Sequence, residues 1–306
     1  MPDHIKTLKK DSEVRKPPEK QINGGVAPEL VKYLGPIIVI QLVFVLAPLA
    51  IILLFSLLKT GAYGKIVYAF TLDNYIKLID GGYGMVFLKS FFYAVQTNFM
   101  CILISYPLAY YIARYGKRWK MFFIFMIIIP SWTAYIIRLY ALKTLVGSNG
   151  LINHWLIGFG LIDTPIQFLY TPMAVSVGLV YTWLPFMVLP LFAAMEGLDP
   201  SMWEAAEDLG ATPFRRFVRI TLPLTRGGLL AGSILVMIPA LGDWLVPYLL
   251  GGSKVMMAGM VVAHKFTTLG DIPAGSCMAT ALASVLLLIL YFAIKWGGRE
   301  ALEQSL

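Results

Sequence analysis

Charge is what this chain has least of. Of its 306 residues only 14% are charged and 58% are hydrophobic, with a mean hydropathy of +0.73. A water-soluble domain carries about a quarter charged residues, so that class is excluded. Cysteine is scarce too. Cys101 and Cys277 both fall in apolar runs, where a thiol acts as a small hydrophobe, and nothing points to a disulfide framework or a metal. His4, His154 and His264 are too scattered to form a ligand cluster. No G-x-x-x-x-G-K-[ST] phosphate loop occurs, so this chain is not expected to bind ATP in that way. H-E-x-x-H and G-x-S-x-G are missing as well, which removes the zinc-protease and serine-hydrolase signatures. The net charge of +8 implies no nucleic-acid partner, because the basic residues of a membrane protein collect on its cytoplasmic side.

Long apolar runs are what is there. A helix needs about 20 residues to cross a bilayer. Six runs approach that length, at about 36–58, 88–112, 119–141, 172–195, 226–250 and 274–297. The expected fold class is all-α, a polytopic membrane protein of six transmembrane helices. A membrane β-barrel would instead alternate in segments of about 10 residues. Residues 1–35 read as a polar tail and 36–300 as the transmembrane domain. The run from Pro36 to Leu58 is longer than the roughly 7–15 apolar residues of a secretory signal and starts late, so it reads as a retained span.

Six spans put both termini on one side. The tail, the 113–120 turn, the 196–226 loop and the C-terminus together hold seventeen Lys and Arg, against six on the other side. That bias predicts cytoplasmic termini. Residues 59–87 read as an outer loop. In the next outer loop, LINHWLIGFGLI suggests a short interfacial helix with Trp155 at headgroup depth.

Pro48, Pro107, Pro130, Pro185, Pro190, Pro239 and Pro247 all lie in expected spans. Each removes a backbone hydrogen bond. Irregular backbone at membrane depth is tolerated only inside protein or against a water-filled cavity, so a bent bundle with internal space is expected. Prolines are also simply commoner in membrane helices. Asp243, in MIPALGDWLVPYLLGG, is an acid within a span, and such residues usually face a partner or an aqueous path. Counted from Arg226 it lies about 25 Å along a helix, near the outer interface, where a carboxylate costs little. Both readings stand. Trp132, Tyr135, Trp183 and Trp244 stand near prolines or near Asp243. They could line a solute path and meet a cation with their ring faces, or belong to the ordinary aromatic belt.

The longest polar interval of the second half is Glu196 to Pro223, EGLDPSMWEAAEDLGATPFRRFVRITLP. Asp199–Pro200 is a helix start, with Asp as N-cap and Pro at the first helical position. Ser201-x-x-Glu204 offers a competing capping box. Leu198, Met202, Ala205 and Leu209 recur at helical spacing as one apolar stripe, while Glu204, Glu207 and Asp208 share another face. Gly210 reads as a stop. Thr212–Pro213 begins a second short helix with Arg215, Arg216 and Arg219. A passive link between spans would need fewer residues.

Glu204-Ala205-Ala206, Gly210, Ile220 and Leu222-Pro223, at these spacings, resemble the EAA motif of ABC importer permeases. Further stretches, FTLDNYIKLID, IIPSWTAYIIRLYALKTLVGSNGLIN, GLVYTWLPFMVLPLFAAMEGLD and LVMIPALGDWLVPYLLGG, are similar to the spermidine/putrescine permeases; permeases for ferric ion, thiamine and sulfate share parts of the pattern. The resemblance covers most of residues 70–252.

The resemblance implies a type I ABC importer permease fold in the bacterial inner membrane. It also implies a coupling segment docked on two copies of a separate ATPase subunit. The docking surface would comprise Asp199, Trp203, Glu204, Ala205, Ala206, Asp208, Gly210 and Pro213. ATP and Mg would sit on those partner subunits and no cofactor on this chain. A second, different permease and an external solute-binding protein would complete the importer within membrane lipid, and a polyamine would pass through. A membrane enzyme using Asp243 would need a second ionisable group at the same depth, which the sequence does not reveal. A scaffold would tolerate Glu204→Lys.

Overall fold

Prolines and polar caps, more than apolar length, decide where the helices of this chain break. The computed structural model describes residues 26–303 apart from 62, 63, 65 and 200. The tail expected over 1–35 therefore lies, as far as residue 25, outside the described residues. The chain divides into one unit ending at Ile51 and a second from Ile52 onward. The first holds most of helix α1, Val26–Ser56, which starts ten residues ahead of its apolar run. The stretch Ile38–Ser56 is apolar and long enough to cross a membrane.

The second unit opens where a loop was expected. Strands β1 (Leu58–Thr60) and β2 (Ile66–Phe70) form an antiparallel hairpin, followed by helix α2 (Asp73–Asp80). The strand IVYAF is β-branched and aromatic, as a pleated strand favours. Gly64 supplies a left-handed turn residue, at φ 77°. Asn74 of α2 is buried and donates to the Ser56 and Leu58 carbonyls, so α2 closes over the α1–β1 junction.

Next come α3 (Tyr83–Tyr115), α4 (Lys120–Ile128), α5 (Tyr135–Val146), α6 (Leu151–Gly158) and α7 (Pro172–Glu196). After them run α8 (Ser201–Asp208), α9 (Pro213–Arg216), α10 (Arg226–Gly242), α11 (Ala258–Thr267) and α12 (Ile272–Glu303). Thr171 caps α7 by accepting the Ala174 amide at 3.1 Å, with Pro172 at the first helical position. Among the described residues four helices meet the length and composition of a span, and up to six spans result if each of two bent pairs counts as one. The pairs are 117–132 with 135–158, bent by 95°, and 213–224 with 226–242, bent by 69°.

The expected straight span over 119–141 is therefore two pieces. Pro130 tightens the end of α4 into a 3-10 turn, Ile129–Trp132, and its carbonyl accepts from Thr133 Oγ1 at 2.7 Å and Arg138 Nη1 at 3.4 Å. Side chains thus replace the lost helical bond, as broken backbone at membrane depth requires. The expected span 226–250 ends as α-helix at Gly242, and a π-helical segment, Pro247–Gly251, follows. Pro48, Pro107, Pro185, Pro190 and Pro239 stay inside helices; only Pro130 and Pro247 stand at the breaks.

Helices α3, α7 and α10 pack on one another around Cys101, Tyr106, Met187, Leu191, Met195 and Val236. A bilayer supplies little hydrophobic drive between helices, so close van der Waals fit must do it, and small residues permit that fit. Gly232 lies against Met187, where an added Cβ would press on its Sδ. Gly259 of α11 lies against the Gly242 carbonyl, where a methyl group would overlap backbone. The end of α10 is thereby held where the next site forms.

Candidate functional site

Two polar constructions interrupt the apolar bundle: the 196–223 hairpin and the junction at Asp243.

In the hairpin, the Ser201 amide donates to the Asp199 carboxylate at 2.9 Å and the Met202 amide to the Asp199 carbonyl at 3.2 Å. Asp199 is the cap; Pro200 lies outside the described residues. The bond from the Ser201 amide holds the Asp199 carboxyl below the usual carboxylate range. A depressed value in the folded state means the cap contributes at neutral pH and is lost only as pH falls through that lowered value. Gly210 ends α8 at φ 72°. The Ala211 amide reaches the Ala206 carbonyl and the Gly210 amide reaches the Glu207 carbonyl, the paired bonds of a Schellman stop. Thr212 then accepts from the Arg215 amide and starts α9. Arg216 crosses back to Glu207 at 2.6 Å, locking the two short helices into one piece.

Which face looks out was not legible beforehand. Most of the apolar stripe is outside: Leu209 is 87% exposed, Met202 and Ala205 are exposed as well, and Leu198 is half-buried. Phe214 adds a bare aromatic ring at 77%. Glu204, Asp208, Gly210 and Pro213 are also exposed. Trp203 and Ala206, both expected on a docking surface, turn inward instead, with Trp203 only 6% exposed. The reason is a better partner inside the chain. The Trp203 indole N–H donates to Thr221 Oγ1 at 3.1 Å, and the Arg114 guanidinium lies 4.9 Å from its ring centroid. Thr225 donates to the Thr221 carbonyl at 2.7 Å, and its hydroxyl shares a buried hydrogen bond with the Tyr106 hydroxyl of α3. Phe217 meets Tyr106 edge-on at 5.1 Å. A continuous chain of contacts thus links α8 to the second half of α3.

The Asp243 junction is equally definite. One carboxylate oxygen accepts the Tyr135 hydroxyl at 2.6 Å and the Trp183 indole N–H at 3.3 Å. The other accepts the amides of Leu245 and Val246 at 3.0 and 3.2 Å, capping the segment after the break. Asp243 is buried. It does not stand at an exposed interface, and four donors fill a carboxylate that has about four acceptor sites. The structure brings Tyr135, Trp183 and Asp243 together. It does not bring Trp132 or Trp244, which are 77% and 47% exposed.

The ionisable group that the sequence did not reveal is Arg138. It is buried, its Nε has no partner among the described residues, and its guanidinium lies 5.8 Å from the rings of both Tyr135 and Tyr181. Its position three residues after Tyr135, on the same helical face, was the available signal.

Residues 102–299 match the family model "Binding-protein-dependent transport system inner membrane component". The chain belongs to this family. As a family member it is a transport component of a membrane-spanning importer, not an enzyme. It is similar to the spermidine/putrescine transport system permease protein PotB of Escherichia coli (strain K12). The two are 38% identical over 262 residues, covering 86% of this chain and 94% of that one. It is 33% identical over 246 residues to the inner membrane ABC transporter permease protein YdcU of the same organism, covering 76% and 78%. A crystal structure of a bacterial ABC transporter that imports alginate shares its fold at a TM-score of 0.67 and 19% identity. That match covers 90% of this chain and 97% of the other.

Proposed function

We propose that this family member is one permease half of an ATP-driven importer that carries polyamines such as spermidine and putrescine. The observation that supports this reading is the 38% identity to spermidine/putrescine permeases over 86% of the chain. An external solute-binding protein delivers the cation, and a second permease completes the path. Asp243 is committed to internal bonds, so the exposed faces of Trp132 and Trp244 are the better candidates to meet a passing cation. That path would be finished by the second permease. Its test is uptake by the reconstituted importer with labelled spermidine and putrescine, and with thiamine, sulfate and ferric ion as separate arms. Polyamine uptake with mutual competition is expected; transport of one of the others without polyamine competition overturns the substrate.

The same proposal assigns the outer face of the hairpin to the ATPase subunits, with both termini in the cytoplasm. Met202, Leu209 and Phe214 would enter an apolar groove while Glu204 and Asp208 meet its basic rim. A bare apolar patch ringed by charge is what a partner site looks like. Glu204→Lys is expected to abolish co-purification of the ATPase subunits while leaving the chain in the membrane at normal amount. ATPase recovery equal to wild type removes Glu204 from the interface.

A further inference from the structure

The end of the bundle opposite the hairpin holds a cavity of about 790 Å³ between the first halves of α3 and α7 and the 254–256 segment. Its wall is mostly apolar, with Leu88, Phe92, Met173 and Val255, and Gln96 and Ser176 add polar atoms to it. Two lysines, Lys89 and Lys254, stand on it. Both are exposed, and among the described residues neither ammonium group has an acidic partner. A second, wholly apolar slot of about 180 Å³ shares Met173 and Val177 with the first and continues to Leu142, Val146 and Leu250.

Depth gives this arrangement a meaning. Lys89 is six residues into α3, about 9 Å from its end at 1.5 Å per residue. That is near the boundary between headgroups and hydrocarbon, where a lysine stem lies along apolar surface and its charge reaches for polar groups. Two unpaired cations repel a polyamine, so the cavity is unsuited to the proposed solute. A single anionic head with a hydrocarbon tail satisfies both halves of it.

We propose that this cavity binds an anionic phospholipid. The phosphate sits between Lys89 and Lys254, one acyl chain runs along Leu88 and Phe92, and another enters the slot past Met173 and Val177. The site depends on the chain lying in a membrane, not on which solute it carries, so failure of the polyamine reading leaves it standing. Lipid bound here would brace α3, α7 and the 254–256 segment against one another at the mouth of the bundle.

The experiment is native mass spectrometry of the chain assembled with its co-expressed partner subunits, after exchange into phosphatidylcholine with graded phosphatidylglycerol. One phosphatidylglycerol per copy of this chain is expected to survive detergent dilution. Lysines near an anionic surface contribute enough that Lys89→Gln with Lys254→Gln should weaken retention roughly 10- to 30-fold. Lys143→Gln, at the same end but outside the cavity, should leave retention unchanged. The proposal is overturned by equal retention in the double variant or by equal retention of phosphatidylcholine. Displacement by glycerol phosphate at matched concentration would assign the site to a free phosphate ester. A Phe92→Cys cross-link to the second permease in place of lipid would assign it to protein. Both lysines are exposed, so the variants are expected to assemble normally, and the same spectra report it.

Discussion

Asp243→Ala should strip the membrane of folded protein while leaving the apparent solute affinity of whatever assembles close to wild type. The substitution orphans four donors at once: the Tyr135 hydroxyl, the Trp183 indole and two backbone amides. Interhelical hydrogen bonds in membranes average roughly 0.6 kcal/mol and reach about 2. Leaving a buried donor without its acceptor costs about 1–3 kcal/mol, and four are left at once. Since whole domains are stable by only about 5–15 kcal/mol, the loss is large. A serine at 243 separates the two jobs of the side chain. It can still cap the amides of Leu245 and Val246, but it is too short to serve Tyr135 and Trp183 as well. The expected order of thermal midpoints and folded amount is Asp, then Ser, then Ala. Uptake per assembled complex should keep its KM throughout. A normal amount of protein with a raised KM for the cation in both variants would return Asp243 to the solute path.

The contrast between the two sites shows what the sequence could and could not reveal. Helix caps are local chemistry, so Asp199, Gly210 and Thr212 were readable from neighbours within six residues. Each is found in the geometry its side chain or its left-handed backbone favours. The side-chain partners of Asp243 are 108 and 60 residues away in the chain, and no periodicity joins them. Burial by a distant fold, not depth along a helix, decides what that carboxylate does. Breaks in the spans were half legible. Seven prolines were suspects, but only Pro130 and Pro247 stand at breaks, because Thr133 and Arg138 at one and Asp243 at the other compensate the freed backbone. The faces of α8 were legible as a pattern, but not which of them looks out. An apolar stripe normally points into its own protein. Here Leu209 and Met202 point away, as they would if their core belonged to another chain. The hairpin β1–β2 was missed because two short strands carry too few residues to stand out from a loop.

That inversion gives the second large effect. Trp203→Ala should uncouple the importer, with ATP hydrolysis by the partner subunits continuing and solute uptake lost. Helix α8 has only eight residues, and a helix that short is marginal without an anchor. Its anchor is the Trp203 ring, wedged beneath the Arg114 guanidinium and bonded to Thr221. Deleting a buried tryptophan costs about 3–5 kcal/mol, and about 3 kcal/mol already shifts the ratio of seated to loose hairpin more than 100-fold. Glu204, Leu209 and Phe214 face outward, away from the indole's partners, so the ATPase groove can still hold the loosened hairpin through them. The ATPase subunits should therefore still co-purify, which separates this variant from Glu204→Lys. Trp203→Phe keeps a ring under Arg114 and loses only the bond to Thr221, worth about 1 kcal/mol, so it should retain much of the uptake. Thr225→Val, which cuts the link to Tyr106 further along the same route, should fall between the two. Uptake per ATP hydrolysed, measured in proteoliposomes for the three variants, ranks them. If Trp203→Ala transports with wild-type stoichiometry, motion reaches α3 by another route and the Trp203–Thr221–Thr225–Tyr106 chain is packing alone.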